Sequence, residues 1–157
     1  MTQQQELAKE LTTLAGAAPS VDDLMTVIVG RLQQRLPHYD WVGFYKIEKG
    51  DVAEGPMLVL GPYVGAVTPH TRIPLNQGIC GAAATSGHTV VVDDVSSDPR
   101  YLACSIETKS EIVVPIYAHG KVVGEIDIDS HMLNAFGADD RGFLEDCAQV
   151  LGQFLEK

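Results

Sequence analysis

The sequence lacks an apolar run approaching the ~18–20 residues that a membrane-spanning helix needs. Its N-terminus also lacks the basic and apolar regions of a signal peptide. Positive charge is scarce: 11 Lys and Arg residues are scattered along the chain against 21 Asp and Glu residues, for a formal net charge of −10. Neither nucleic acid nor an anionic membrane gains from so acidic a surface. We therefore expect a cytoplasmic protein that binds no nucleic acid and no membrane.

Cysteine is also scarce, with three residues in 157. An odd, small number without an export signal argues against a disulfide scaffold. No CxxC or paired Cys/His spacing suggests zinc, so no metal site is expected. The thiols therefore either fill the core or carry out redox chemistry. Cys147 lies in the apolar stripe of a helical segment and is assigned to the core.

The hydrophobic pattern predicts one α+β domain. A chain of 157 residues suits a single core. Helical spacing at both ends gives way to strand-like runs in the middle, and a capping pattern at Ser20 opens a second helix that Pro37 ends. We expect a central antiparallel sheet with N- and C-terminal helices packed on it. The predicted helices span residues 4–16, 20–36, 78–84 and 137–156, and Ser86 and Gly87 mark the end of the third. The predicted strands span residues 41–47, 57–61, 66–73, 89–95, 111–117 and 121–129.

Two acids, Asp127 and Asp129, interrupt the apolar pattern of the last predicted strand. Residues i and i+2 of a strand share a face. Two carboxylates there repel each other and lose hydration, which raises at least one pKa. A fold that tolerates this expense has a use for the two acids. Two structural explanations stay open beside the functional one: a strand end that emerges into solvent, or a helix N-terminus just beyond that attracts the acids.

The other two thiols differ in their predicted surroundings. Cys104 lies in a polar, irregular stretch, where an accessible thiolate can act as a nucleophile unless the thiol is incidental. Cys80 lies at the start of the short predicted helix, whose backbone N–H groups would lower the thiol pKa. Gly78 and Gly81 allow another chain segment to approach closely. A buried, purely apolar role for Cys80 fits the sequence equally well.

Two aromatic residues, Trp41 and Tyr45, point the same way if the first predicted strand is regular. Such a pair is usually part of a core. It can also form the apolar wall of a ligand pocket, with the tyrosine supplying a hydroxyl. His88 and His119 lie in predicted turns and are expected at the surface.

Several short segments give a more specific signal when they are taken together. They are WVGFY (41–45), TRIPL (71–75) followed by GICG (78–81), AC (103–104), KSEIVVP (109–115) and IDIDS (126–130). In this order and register they resemble the free methionine-(R)-sulfoxide reductases, which are single GAF-domain enzymes. The helices at both ends fit as well. The resemblance implies that residues 1–157 form one GAF domain.

The resemblance implies a thiol-dependent oxidoreductase that reduces free L-methionine-(R)-sulfoxide to methionine without a bound cofactor. Cys104 would be the nucleophile, becoming a sulfenic acid that condenses with a second thiol to form a disulfide. Cys80 matches a second family cysteine. His70, however, stands where the family commonly has a cysteine of the recycling disulfide. A thioredoxin-type reductant would restore the dithiol.

The resemblance also implies how the substrate is held. Glu111, Asp127 and Asp129 would form the polar pocket around the sulfoxide and the ammonium group. Trp41 and Tyr45 would form the wall that receives the S-methyl group. Three clustered acids cannot all be ionised cheaply, so one can stay protonated near neutral pH and serve as the acid. The remaining negative charge would hold the ammonium group.

Two other interpretations compete with the enzyme. The chain can be a non-catalytic GAF sensor that binds a small molecule, although such a module does not need Cys104 beside three acids. It can also be a structural or dimerisation protein, which explains the terminal helices but none of the pocket residues. Helices 4–16 and 137–156 can pair across a two-fold axis, and we expect a homodimer.

Overall fold

The structure is a computed structural model that describes residues 2–50, 52–102 and 106–157. Along these residues the chain begins with two helices, continues through strands that enclose a short helix, and closes with a long helix. In chain order the elements are α1 (Gln3–Ala17), α2 (Val21–Arg35), β1 (Trp41–Lys49), β2 (Pro56–Val64), β3 (Arg72–Pro74), α3 (Gly78–Ser86), β4 (Val90–Val92), a 3₁₀ turn (Val95–Ser97), β5 (Ser110–Ala118), β6 (Lys121–Ser130) and α4 (Ala138–Leu155).

The strands form one six-stranded sheet in the order β3-β2-β1-β6-β5-β4. Every neighbouring pair is antiparallel. This arrangement confirms the predicted α+β class with a central antiparallel sheet. β6 lies between β1 and β5, so the strand with the two aspartates has a paired neighbour on each side.

Local sequence signals set the helix boundaries as predicted. Ser20 is the N-cap of α2, and its hydroxyl accepts a hydrogen bond from the Asp23 N–H at 3.1 Å. The helix ends at Arg35, before Pro37. Gly87 ends α3 in the left-handed conformation with φ 73°, which favours glycine. Among the described residues, no helix has the length and apolar character to cross a membrane.

The sheet separates two hydrophobic clusters. The larger one lies between the sheet and α1, α2 and α4, and it contains the isoleucines of β6 as well as Cys147, which confirms the core assignment of that thiol. The smaller cluster lies on the other face, where α3 packs, and it contains Trp41, Tyr45 and Cys80. Side chains alternate between the faces of a strand, so each central strand contributes to both clusters.

One predicted strand is wrong over most of its length. The sequence pattern predicts a strand over residues 66–73, but β3 covers Arg72–Pro74. The preceding segment turns on itself: the Thr68 hydroxyl accepts a hydrogen bond from the His70 N–H, and the Thr71 N–H donates to the Pro69 carbonyl. Proline has no N–H for a strand ladder, which favours this turn. Likewise, the strand predicted over 89–95 is shortened to Val90–Val92.

We predict opposite effects from two glycine substitutions in α4. The Tyr117 carbonyl of β5 packs so closely on Gly152 that an added Cβ would overlap it, whereas Gly142 has open space at that position. Gly152→Ala should destabilise the fold by about 1–3 kcal/mol through overpacking. Gly142→Ala should stabilise it by roughly 0.5–1 kcal/mol, because alanine loses less backbone freedom in a helix. Urea unfolding measures both. Equal stability of the two variants would contradict this close packing of α4 on β5.

Candidate active site

Strand pairing brings the predicted acids together. Asp127 and Asp129 lie on the face of β6 opposite to Ile126 and Ile128, which belong to the larger cluster. Asp129 is directly opposite Glu111 of β5. Side chains directly opposite each other on antiparallel strands have Cβ atoms about 4.5–5.5 Å apart. The register of the sheet therefore places three carboxyl groups side by side.

Both aspartates are buried, at 3% and 2% exposure, so a strand end in solvent is the wrong explanation for them. At the start of the helix that follows, α4, the Gly137 N–H donates a hydrogen bond to Asp140, an acid of the helix itself. Burial raises the pKa of Asp127 and Asp129, and the charge of Asp127 raises that of Asp129 further. The expected rise in pKa is confirmed.

Glu111 stands beside both aspartates. A hydrogen bond from its side chain opposes the rise in the pKa values of Asp127 and Asp129 but does not cancel it. Because burial raises both pKa values, these carboxyl groups hold a proton more readily than exposed ones do. A carboxyl group that keeps its proton can donate it.

Glu125 is a further acid of β6 that reasoning from the sequence missed. It has no exposed surface, and a hydrogen bond from the Cys80 thiol offsets only part of the effect that burial has on its pKa. Burial raises its pKa well above the usual value, and the charge of Asp127 adds to the rise. The signal was present in the sequence, because Glu125, Asp127 and Asp129 follow one another at the spacing of a single strand face.

Cys80 lies against this acidic cluster. The residue is 6% exposed, and its thiol donates a hydrogen bond to Oδ2 of Asp127 at 3.2 Å. Burial raises the thiol pKa well above the usual value, and the charges of Asp127, Glu125 and Glu111 raise it further. The expectation of a lowered pKa is therefore wrong. Desolvation and neighbouring acids outweigh the partial positive charge of a helix N-terminus.

The glycines beside Cys80 allow the predicted close approach. An added Cβ on Gly81 would lie 2.8 Å from the Leu75 carbonyl oxygen. Gly78 has a φ of +72°, and an added Cβ there would lie 2.9 Å from the Leu102 side chain. Larger residues at these two positions would push α3 away from its neighbours and move Cys80 away from the acids.

Trp41 and Tyr45 lie on the same face as the acids, on either side of Gly43. The indole leans over Gly43 and stacks on Tyr63, with ring centroids 5.5 Å apart. The Tyr45 hydroxyl donates a hydrogen bond to the His70 carbonyl at 2.7 Å. The pair is thus buried in the smaller cluster, and Tyr45 also lines the cavity beside the acids.

A cavity of about 20 Å³ lies where these groups meet. This volume is enough for one water molecule. Trp41 and Asp129 are not among its lining residues, and Cys104 lies outside the described residues. His88 and His119 are exposed, as predicted. The residues of the cavity wall that bear on its chemistry are Tyr45, His70, Cys80, Leu102, Glu111 and Asp127.

Comparison with known proteins gives a consistent result. The GAF domain family matches residues 20–155. A free methionine-R-sulfoxide reductase of Saccharomyces cerevisiae is 41% identical over 73% of this chain and 62% of its own length. One of Escherichia coli is 33% identical over 76% of this chain and 68% of its own. The X-ray structure of free methionine-R-sulfoxide reductase from Neisseria meningitidis, in complex with its substrate, superposes with a TM-score of 0.89 at 33% identity, covering 98% of this chain and 88% of that one.

We predict that Glu125→Gln weakens the pH dependence of stability. Because the Glu125 pKa is raised in the fold, the folded protein keeps a proton that the unfolded chain releases above about pH 4.3. The free energy of unfolding therefore falls as pH rises from the unfolded pKa of Glu125 toward its higher folded pKa. Urea unfolding at a series of pH values in chelator-treated buffer should show a smaller decline for Glu125→Gln than for the wild type.

The matched control is Glu48→Gln, which removes an exposed acid from β1. Its pH profile should run parallel to that of the wild type. A Glu125→Gln profile that also ran parallel would mean that Glu125 does not hold a proton in the fold.

Proposed function

Because the chain belongs to the GAF-domain family of the free methionine-R-sulfoxide reductases, we propose that it reduces free methionine-(R)-sulfoxide to methionine with a cysteine thiolate. A GAF fold by itself would not support this, since one fold serves many functions. The main support is the site: Glu111, Asp127 and Cys80 converge on one buried cavity, where burial raises the pKa of Asp127. A binding module for a neutral ligand has no use for so many buried acids.

The proposed reaction begins with Cys104. Its thiolate attacks the sulfoxide sulfur, and the oxygen is transferred to Cys104 as a sulfenic acid while the thioether of methionine is released. The oxygen needs a proton as its bond to the substrate breaks, and the carboxyl cluster can donate one.

The same cluster is suited to hold the amino acid. With one carboxyl group protonated, the remaining negative charge of Glu111, Asp127 and Asp129 attracts an ammonium group in a site of low dielectric constant. Trp41 and Tyr45 supply the apolar surface for the S-methyl group. The cavity of about 20 Å³ is smaller than an amino acid. Binding therefore requires residues of its wall to move apart.

Recycling is proposed to use Cys80, since His70 cannot form a disulfide. The Cys80 sulfur attacks the sulfenic acid, the S–O bond breaks, and a disulfide and water form. Asp127 accepts a hydrogen bond from the thiol and is placed to take its proton. A thioredoxin-type protein then reduces the disulfide, so no bound cofactor is needed.

We also infer a homodimer in the cytoplasm. The apolar stripes of α1 and α4 pack within the chain against the larger cluster. A dimer contact between these helices would therefore use their outer faces. Sedimentation of the purified chain would measure its mass in solution.

The decisive assay is incubation of the purified protein with free methionine-(R)-sulfoxide and dithiothreitol, followed by measurement of methionine. We predict turnover of the R epimer by the wild type and by the core control Cys147→Ala. Cys104→Ser should lose turnover. Asp127→Asn should lose about 10²–10⁴-fold in rate, the range for loss of a general acid. Activity that survives in Cys104→Ser would refute the nucleophile, and binding without turnover by the wild type would favour a sensor.

Cys80→Ser separates the first chemical step from recycling. The variant should release one equivalent of methionine in a single turnover, because the attack needs Cys104 alone. It should then stall with thioredoxin yet turn over with a small thiol that reaches the sulfenic acid directly. Mass spectrometry of substrate-oxidised wild type should find a peptide that links Cys80 and Cys104. A lasting, unlinked oxidation product of Cys104 would exclude this route.

A further inference from the structure

We propose that Cys80, Glu111 and Asp127 form a binding site for a zinc ion, and that zinc holds the protein in an inactive state. The three side chains come from α3, β5 and β6. Each offers one ligand atom, and these atoms all lie within 4.8 Å of one another. The three ligands are far apart in the sequence, so they do not form the short, regularly spaced motif that usually identifies a zinc site.

The geometry is close to that of a tetrahedral site. Zinc lies about 2.3 Å from sulfur and 2.0–2.2 Å from carboxylate oxygen, so two neighbouring ligand atoms lie roughly 3.5 Å apart. Cys80 Sγ and Asp127 Oδ2 are 3.2 Å apart. The Glu111 oxygen lies at most 4.8 Å from the other two ligand atoms, so it must approach them by no more than roughly 1.3 Å, which rotation of its side chain allows. A cavity of about 20 Å³, the volume of a water molecule or an ion, borders all three residues.

A second observation, a buried oxygen of Asp127, points to a cation at this site. Oδ1 of Asp127 is buried and has no hydrogen-bond partner among the described residues. Buried carboxyl oxygens without partners are costly, and an ion or a water molecule commonly accounts for them. A divalent cation that both oxygens of Asp127 bind would satisfy Oδ1, and its charge would also attract the buried Glu125 carboxyl group.

The donor set favours zinc over the abundant hard cations. Magnesium and calcium prefer a shell of oxygen ligands and a larger number of them. A thiolate with carboxylates at tetrahedral spacing suits zinc, with a fourth position for water. Binding forms Zn–S and Zn–O bonds and releases the thiol proton and any proton held by the carboxyl groups to solvent. No electron is transferred.

Inhibition by zinc rests on the proposed function. A zinc-bound Cys80 cannot attack a sulfenic acid, and Glu111 and Asp127 are no longer available to the substrate. Because the site lies in the cavity where substrate would bind, zinc and methionine sulfoxide exclude each other. Free zinc would therefore stop reduction, and a chelator would restore it.

Binding is tested with cobalt, which replaces zinc and gives a thiolate-to-metal charge-transfer absorption. The reduced, chelator-treated, full chain is titrated with Co²⁺ and then with Zn²⁺. The wild type, Cys147→Ala and Cys104→Ser should show a saturable band that zinc removes. Cys80→Ser should lack it, and Asp127→Asn should bind at least about tenfold more weakly. Circular dichroism confirms that each variant is folded.

The outcomes decide the site independently of the reaction. Absence of the band in the wild type, its persistence in Cys80→Ser, or its loss in Cys147→Ala or Cys104→Ser would each overturn the proposal. Inhibition is measured in a single turnover of pre-reduced protein, because dithiothreitol itself binds zinc. Zinc binding by a chain that reduces no methionine sulfoxide would refute the proposed function alone, whereas zinc-insensitive reduction without a cobalt band would refute the metal site alone.

Discussion

The register of β6 between β1 and β5 is the constraint on which the rest of the structure depends. Acids and isoleucines alternate along β6, so the acids face one side of the sheet and the isoleucines the other. A slip of one residue would turn Asp127 and Asp129 into the larger cluster. It would also turn Ile126 and Ile128 toward the opposite face of the sheet. The hydrophobic energy of the larger cluster therefore fixes the position of the acids. The same backbone hydrogen bonds that hold the sheet also assemble the site.

Sequence patterns predicted the features that depend on neighbouring residues. The caps of α2 and α3, the alternation of β6 and the apolar position of Cys147 all follow from local spacing and were confirmed. The surroundings of Cys80 did not follow, since they depend on the packing of α3 against distant strands. Glu125 belongs to the same alternation as Asp127 and Asp129, but its lack of exposed surface depends on the packing of distant segments. Most of residues 66–73 form a turn instead of the predicted strand, and the hydrogen bonds around Pro69 account for this turn.

The buried acids lower the stability of the fold while they form its candidate site. Placing Glu125, Asp127 and Asp129 on one covered strand face removes hydration from each and brings like charges together. Apolar residues at these positions would give a more stable sheet. The fold tolerates this loss of stability because the other face of the sheet packs against three helices. A GAF scaffold thus offers one face for folding and one for a site, which helps to explain how the same fold hosts proteins of different function.

The burial of Asp127 and Asp129 has a consequence for the charge of the whole molecule. The formal value of −10 counts every Asp and Glu as ionised. Because burial raises the pKa of both carboxyl groups, the folded chain binds protons more strongly than the unfolded chain does. Unfolding lowers these pKa values, so the unfolded chain becomes the more anionic of the two in the pH range between the folded and unfolded pKa values. A cation that enters the cavity displaces protons as well, so its affinity rises with pH. Any positively charged ligand that binds at the acidic face must therefore displace protons from its carboxyl groups.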